Sequence, residues 1–258
     1  MPKRVFAIAA HPDDIEFMMA GTLALLGQAG YELHYMTVAN GCLGSMQHDT
    51  ATTARIRRAE AAAAAHIVGA TFHESLVPDL EIFYEDRTLR RLASVVRQVA
   101  PDIILTQSTN EYMEDHMNTT RLVLTAAFAR CMPNYVSDPP RPAISRPVAI
   151  YHALPYGLRD PLGQPVQPAM FVNISDVIEI KRQMLSLHAS QKEWLDVSQG
   201  MGAYVRTMEQ MAAEVGRMSG CFAAAEGWSR HLHLGYCAED DDPLAAALGS
   251  KADYADET

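Results

Sequence analysis

The chain has 258 residues, 48% of them hydrophobic and 20% charged, enough to bury one sizeable core without covalent staples. Its formal net charge of −10 leaves no basic face for a nucleic-acid partner, and no stretch approaches the roughly 18 apolar residues of a membrane span. Cys42, Cys131, Cys221 and Cys237 lack Cys-x-x-Cys spacing, so neither a zinc knuckle nor a redox dithiol is indicated.

Met1-Pro2-Lys3-Arg4 leads into an apolar run too short for a signal segment, and a cytoplasmic location is expected. That run, Val5 to Ala9, has the length and composition of a buried first strand. A helix through Gly21–Gly27 ends near Gly30, Tyr31–Ala39 forms a second strand, and a glycine-rich loop (40–45) follows. An alanine-rich helix over about 51–68 precedes a short strand at Thr71–Glu74. Next come a helix over about 86–100, a strand at 102–106 and a helix over about 117–130. Nine of the 14 prolines fall between Pro133 and Pro168, which excludes long helices there and leaves a strand at Val148–Ala153. Met170–Ile174 is a further strand, and Ser175-Asp176 can cap a helix running to about Lys192. A last long helix covers about 202–218, its Tyr204, Met208, Met211, Val215 and Met218 forming a packing stripe. Residues 1–237 read as one domain, and the acidic, small-residue segment 238–258 as a mobile tail. Alternation of this kind predicts an α/β fold, a parallel sheet with helices on both faces. Ligands of such sheets bind beyond the carboxyl ends of the strands.

Two polar segments stand at such ends. Ala10-His11-Pro12-Asp13-Asp14-Ile15-Glu16 directly follows the first strand. Adjacent aspartates raise each other's proton affinity unless a cation offsets them, and a nearby histidine makes a metal a candidate for that cation. His11 and Asp14 can bind it together, leaving Asp13 free beside it. Pro-Asp-Asp is equally a turn and helix-capping sequence. The strand at 102–106 delivers a second polar loop, Gln107 to His116, whose His116 would complete a His-Asp-His set. Three protein ligands with a position left for water are the pattern of catalytic zinc sites.

These segments resemble the zinc-dependent de-N-acetylases of the PIG-L/LmbE type, whose signature Ala-His-Pro-Asp-Asp-x-Glu is complete from Ala10 to Glu16. The family's second signature ends His-Pro-Asp-His; Met113-Glu114-Asp115-His116 keeps only its Asp-His. Arg57-Arg58-x-Glu60 and the segment from Lys181 through His188-Ala189-Ser190-Gln191 also match, and the resemblance covers roughly residues 4 to 235. It implies a Rossmann-like, mostly parallel sheet, and Zn2+ on His11, Asp14 and His116 with Asp13 as general base. Other divalent transition ions suit the same donors. Glu16 and Asp115 are expected behind the ligands, and Arg57 in contact with substrate. Family members with histidine at the Met113 position use it on the oxyanion or leaving group; Tyr112, His152 and His188 are the candidates to replace it. His231 and His233 alternate as strand residues and raise the question of a second metal.

The expected activity is hydrolysis of an N-acyl, foremost N-acetyl, amine on an amino-sugar conjugate, with a small-molecule substrate and no nucleic-acid or membrane partner. A deacylase of a non-sugar amide, or a metal-dependent binding protein without turnover, follows from the same residues. Self-association is compatible with the resemblance, but no heptad pattern establishes it.

Overall fold

A computed structural model describes residues 2–191 and 203–255. β1 (Arg4–Ala9) can be apolar from Val5 onward because both of its faces are covered. Val5, Ala7 and Ala9 enter one hydrophobic core, Phe6 and Ile8 another, so the two-residue period of the strand divides one run between opposite sides of the sheet. After it come α1 (Asp14–Met18), α2 (Ala20–Gln28), β2 (Glu32–Thr37), α3 (Thr50–Ile67) and β3 (Thr71–His73). Then follow α4 (Asp86–Val99), β4 (Ile103–Thr106), α5 (Glu114–Ala129) and β5 (Ala149–Ala153). These five strands are parallel, in the order β3-β2-β1-β4-β5. Leu92 and Val96 of α4 and Leu122 and Val123 of α5 pack on the Phe6 side; Leu23 and Leu26 of α2 and Ala61 and Ala65 of α3 pack on the other. The expected two-faced α/β arrangement is therefore present.

From β1 the chain proceeds toward β2 and β3, and β4 and β5 lie on the opposite side. The gap between the loops leaving β1 and β4 is thus the topological switch point, where open sheets of this type receive ligands. β1 and β4 are in register from Val5 opposite Ile103 to Ile8 opposite Thr106, so the two loops leave side by side. α5 starts at Glu114 rather than near residue 117, which puts His116 in its first turn.

Beyond β5 the eight-stranded sheet turns antiparallel, through β7 (Ala225–Arg230), β6 (Met170–Asn173) and β8 (Ala252–Tyr254). β7 corrects the sequence reading, which placed no strand at these residues. Its sequence, Ala225-Glu226-Gly227-Trp228-Ser229-Arg230, has no apolar alternation, and distant partners define it instead. The buried Glu226 carboxylate accepts the backbone N–H of Gly21 at 2.9 Å and of Thr22 at 2.7 Å, at the start of α2. It also pairs with the buried Lys181 of α6 (Ile178–Ser186). At Gly227 a Cβ would meet Leu154 at 2.6 Å and Pro168 at 2.9 Å, so only glycine passes there without displacement.

Two other expectations need correction. The helix expected to continue from Ser175 to about Lys192 breaks at Leu187 and His188, and Lys192 lies outside the described residues. The segment after residue 237 is folded, not a loose tail. Asp242 caps α8 (Pro243–Leu248) by accepting the Ala245 N–H at 3.0 Å, Leu244 is buried, and Ala252–Tyr254 pair with β6. Its acidity concealed a role for Asp242, which also accepts from the Tyr151 hydroxyl at 2.7 Å. The last long helix is α7 (Ala203–Ser219), whose Tyr204, Met208, Met211 and Val215 join the core. Among the described residues no helix is long and apolar enough to cross a membrane.

Candidate active site

The loop after β1 is closed by Asp14, whose Oδ2 accepts the His11 backbone N–H at 2.8 Å. Gln107 ties this loop to the one after β4. Its Oε1 accepts the Ala10 N–H at 2.9 Å, and its Nε2 donates to Asp14 Oδ2 at 3.2 Å. His116 is thereby brought opposite His11 and Asp14. Asp14 Oδ2 lies 3.5 Å from His11 Nδ1 and 3.5 Å from His116 Nε2, and the three ligand atoms are all within 4.8 Å of one another. Ligands at about 2.0–2.2 Å from a tetrahedral ion are separated by about 3.3–3.6 Å, so this donor set fits one divalent transition ion with a fourth position to spare.

The outer nitrogen of each imidazole faces a carboxylate. His11 Nε2 is 2.9 Å from Asp115 Oδ2, and His116 Nδ1 is 3.2 Å from Glu111 Oε2, though off the line of a good hydrogen bond. Such partners fix the tautomer and orient the ring toward the metal position. Burial alone would lower the His11 pKa, but Asp115 and Asp14 outweigh it and hold His11 up to about 10. Burial likewise opposes, and Asp14 and Glu111 produce, a raised His116. Asp14 is held well below the usual carboxylate range, His116 and His11 overcoming the effect of its burial. The carboxylates here call for positive charge between them, which two protonated imidazoles or one divalent ion can supply.

Asp13 has φ 99°, a left-handed conformation that non-glycine residues rarely adopt and that persists where surroundings enforce it. Its Oδ2 accepts from the Tyr204 hydroxyl at 2.6 Å and from Arg57 at 3.2 Å. Arg57, buried on α3, also donates to the Pro12 carbonyl, so one guanidinium holds the backbone and the side chain of the same turn. The 40–45 loop lies directly over it: a Cβ on Gly44 would meet Arg57 at 2.7 Å and Gln191 at 2.6 Å. Burial raises the Asp13 pKa, and Arg57 opposes that without cancelling it. A carboxylate raised in this way takes up a proton more readily than an ordinary aspartate. Asp13 and the three ligand residues share a cavity of about 440 Å³, with Phe17, Leu80, Tyr112, Met113 and Tyr156 among its walls.

Of the groups considered for the place of a polar residue at 113, Tyr112 lines the cavity, its ring centroid 5.4 Å from that of His116. His152 does not. It is buried behind the β4 loop, with Nδ1 2.9 Å from the Gln107 carbonyl and Nε2 3.1 Å from His231 Nδ1. His188 is also buried outside the cavity lining, 3.4 Å from Glu16 Oε2. Glu16 faces His188 and accepts from the Tyr35 hydroxyl at 3.1 Å, and neither of these partners is a candidate ligand. The strand reading of His231 and His233 fails because β7 ends at Arg230. Among the described residues, the one metal-type cluster is His11, Asp14 and His116.

Three residues of the site escaped the sequence reading. Tyr204 heads the packing stripe of α7 and does pack, yet its hydroxyl reaches Asp13; a tyrosine opening a methionine-rich stripe was the available signal. Gln107 and Glu111 lie in the polar loop already singled out after β4, where their position at a strand's carboxyl end was the clue.

Residues 6–127 match the family model described as PIG-L: GlcNAc-PI de-N-acetylase. Diacetylchitobiose deacetylase of Thermococcus kodakarensis is 27% identical over 228 residues, covering 84% of this chain and 79% of that protein. 4-Oxalmesaconate hydratase of Pseudomonas putida is 32% identical over 122 residues, covering 44% of this chain and 47% of that protein. Among solved structures, N,N'-diacetylchitobiose deacetylase from Pyrococcus horikoshii has a TM-score of 0.74 at 23% identity, covering 94% of this chain and 88% of that one. At that identity the likeness is one of fold.

Proposed function

We propose that this chain, which carries a PIG-L family domain over residues 6–127, is a metal-dependent hydrolase of an N-acetyl amine on an amino-sugar conjugate. One observation carries the reading. Three side chains fit a single ion, and beside them a fourth carboxylate, Asp13, is tethered to Tyr204 and Arg57. A site for structural metal has no use for that extra buried acid.

His11, Asp14 and His116 would hold the ion, zinc in the first instance. When bound, such an ion polarises an acyl oxygen and lowers the pKa of water from 15.7 toward about 7. Asp13 takes a proton from the attacking water and returns it to the leaving amine as the C–N bond breaks, so that acid and amine leave as separate products. Tyr204 and Arg57 keep the Asp13 carboxylate aimed throughout. Asp115 and Glu111 hold the two imidazoles in register. Tyr112, on the cavity wall, is the candidate donor to the acyl oxygen, and removal of such a donor typically costs about 3–4 kcal/mol.

The 32% identity with a hydratase favours a second reading, addition of water to an unsaturated carboxylate. The cavity suits it less. Asp13, Asp14 and Asp79 line it, and Arg57, the one arginine or lysine among its described lining residues, is already engaged with Asp13 and Pro12. A neutral amide is therefore the better fit. Acetate release from a panel of N-acetylated amino sugars and amines, with hydration of 4-oxalmesaconate measured in parallel, separates the two. Acetate release that stops on chelation, and that stops in a metal-loaded Asp13→Asn protein, is the expected result. Hydration without acetate release, or full activity in that variant, would overturn the proposal.

A further inference from the structure

Two polar side chains of the cavity wall, Asp79 and Gln191, are committed to holding the wall itself. Asp79 Oδ1 accepts the Gly41 N–H at 2.6 Å and Oδ2 accepts the Leu43 N–H at 2.9 Å, which clamps the 40–45 loop to the turn at Pro78–Glu81. Gln191 donates to the Gly44 carbonyl at 2.7 Å and fixes the same loop from its other side.

What these tethers present to the cavity is apolar. Leu43 rides on the clamped loop, and Leu80 follows Asp79 directly. Leu80 has φ 61°, a conformation unfavourable for a bulky residue, and its N–H donates to Asp115 Oδ2 at 2.8 Å. The oxygen that orients His11 therefore also holds Leu80 in its strained position. Leu43 is 50% exposed, Leu80 58% and Tyr112 60%, although all three line a cavity next to the candidate metal centre. Met113 adds a polarizable, apolar surface, and Tyr156 stands behind Tyr112 with ring centroids 5.9 Å apart. Backbone strain and hydrogen bonds spent on presenting apolar surface point to a ligand with apolar surface of its own.

We propose that the amine portion of the substrate carries an aromatic substituent, received by Leu43, Leu80, Tyr112 and Met113, so that the substrate is an aryl conjugate and not a bare amino sugar. This names the substrate class of the deacetylase reading and rests on it. An aromatic ring is favoured over an alkyl chain because tyrosine and methionine offer it ring–ring and sulfur–ring contacts.

The test is calorimetric titration of zinc-loaded Asp13→Asn protein with the methyl, hexyl and phenyl N-acetylglucosaminides, which reads binding without turnover. The phenyl compound should bind at least tenfold more tightly than the methyl one, with hexyl between them. Leu80→Ser and Met113→Gln, each added to that background, should reduce the phenyl preference severalfold and leave methyl affinity unchanged. Equal affinity for phenyl and methyl, hexyl as tight as phenyl, or a preference untouched in both variants would overturn the proposal. An aryl preference accompanied by no acetate release from the unaltered protein would instead sink the deacetylase reading alone.

Discussion

The parallel and antiparallel halves of the sheet serve the candidate site in different ways. β1 and β4 deliver every candidate metal ligand from two short loops that leave the sheet side by side. The half beyond β5 delivers no candidate ligand; it contributes Tyr156 on the cavity wall and Tyr204 on Asp13. It also contributes the buried Lys181–Glu226 pair, which fastens β7 to the start of α2. Candidate ligands thus come from the parallel half alone, whereas Asp13 is aimed from both halves, by Arg57 of α3 and Tyr204 of α7.

Substitutions in each half can break this division. The largest effect is expected at Asp13: Asp13→Asn should lower kcat by about 10²–10⁴-fold, the range for a general acid–base residue, with metal content unchanged. Loss of metal in that protein would make Asp13 a ligand and dissolve the distinction between it and Asp14. In the antiparallel half, Lys181→Met or Glu226→Gln alone should each cost about 3–5 kcal/mol in urea unfolding, because each leaves a buried charge without its partner. The combined substitution should cost less than the sum, and the folded fraction should keep its metal. Additive costs would mean that the pair does not act as a unit.

Tyr204 joins the halves, and Tyr204→Phe sharpens the comparison. Losing one hydrogen bond to a carboxylate, about 1.5–3 kcal/mol, should lower kcat about tenfold or more with little change in KM. Removing a donor that favours the charged form raises the Asp13 pKa, so the acid limb of the kcat/KM profile should move to higher pH. A stationary limb would confine Tyr204 to packing.

The smallest effect is on stability. Burial holds His152 down to about 4, below the ordinary value of 6.5. The stability linked to its neutral form is complete above about pH 6.5 and is lost as pH falls toward about 4, where the unfolded chain binds the proton first. Between about pH 7 and about pH 4.5 the protein should therefore lose more stability than a His152→Asn variant. Equal losses would contradict this.

How much could be seen in the sequence follows the same division. The first strand and the His11–Glu16 segment are legible because an apolar run ending in acids and imidazole has few structural uses. His116 was legible for the same reason, one strand-to-helix unit later. β7 was not, because Glu226 and Gly227 owe their places to Lys181, Thr22 and Leu154, which local pattern cannot reveal. The segment after residue 237 was misread because its small and acidic residues suggest solvation, while Asp242 satisfies Tyr151 and caps α8. Tyr204 was hidden by its own packing: a side chain can belong to the core along its ring and to the site at its hydroxyl. His152 and His188 show the converse, since a histidine near the right motif can still be turned toward Gln107 or Glu16.

The central claim is that the loops leaving β1 and β4 grip one cation between them. Zinc titration of the metal-free protein by calorimetry tests it directly, run on the unaltered chain and on His11→Ala and His116→Ala separately. One equivalent should bind to the unaltered chain, and each substitution alone should weaken binding at least a hundredfold. Either variant binding one equivalent with unchanged affinity would mean that the two loops do not share an ion.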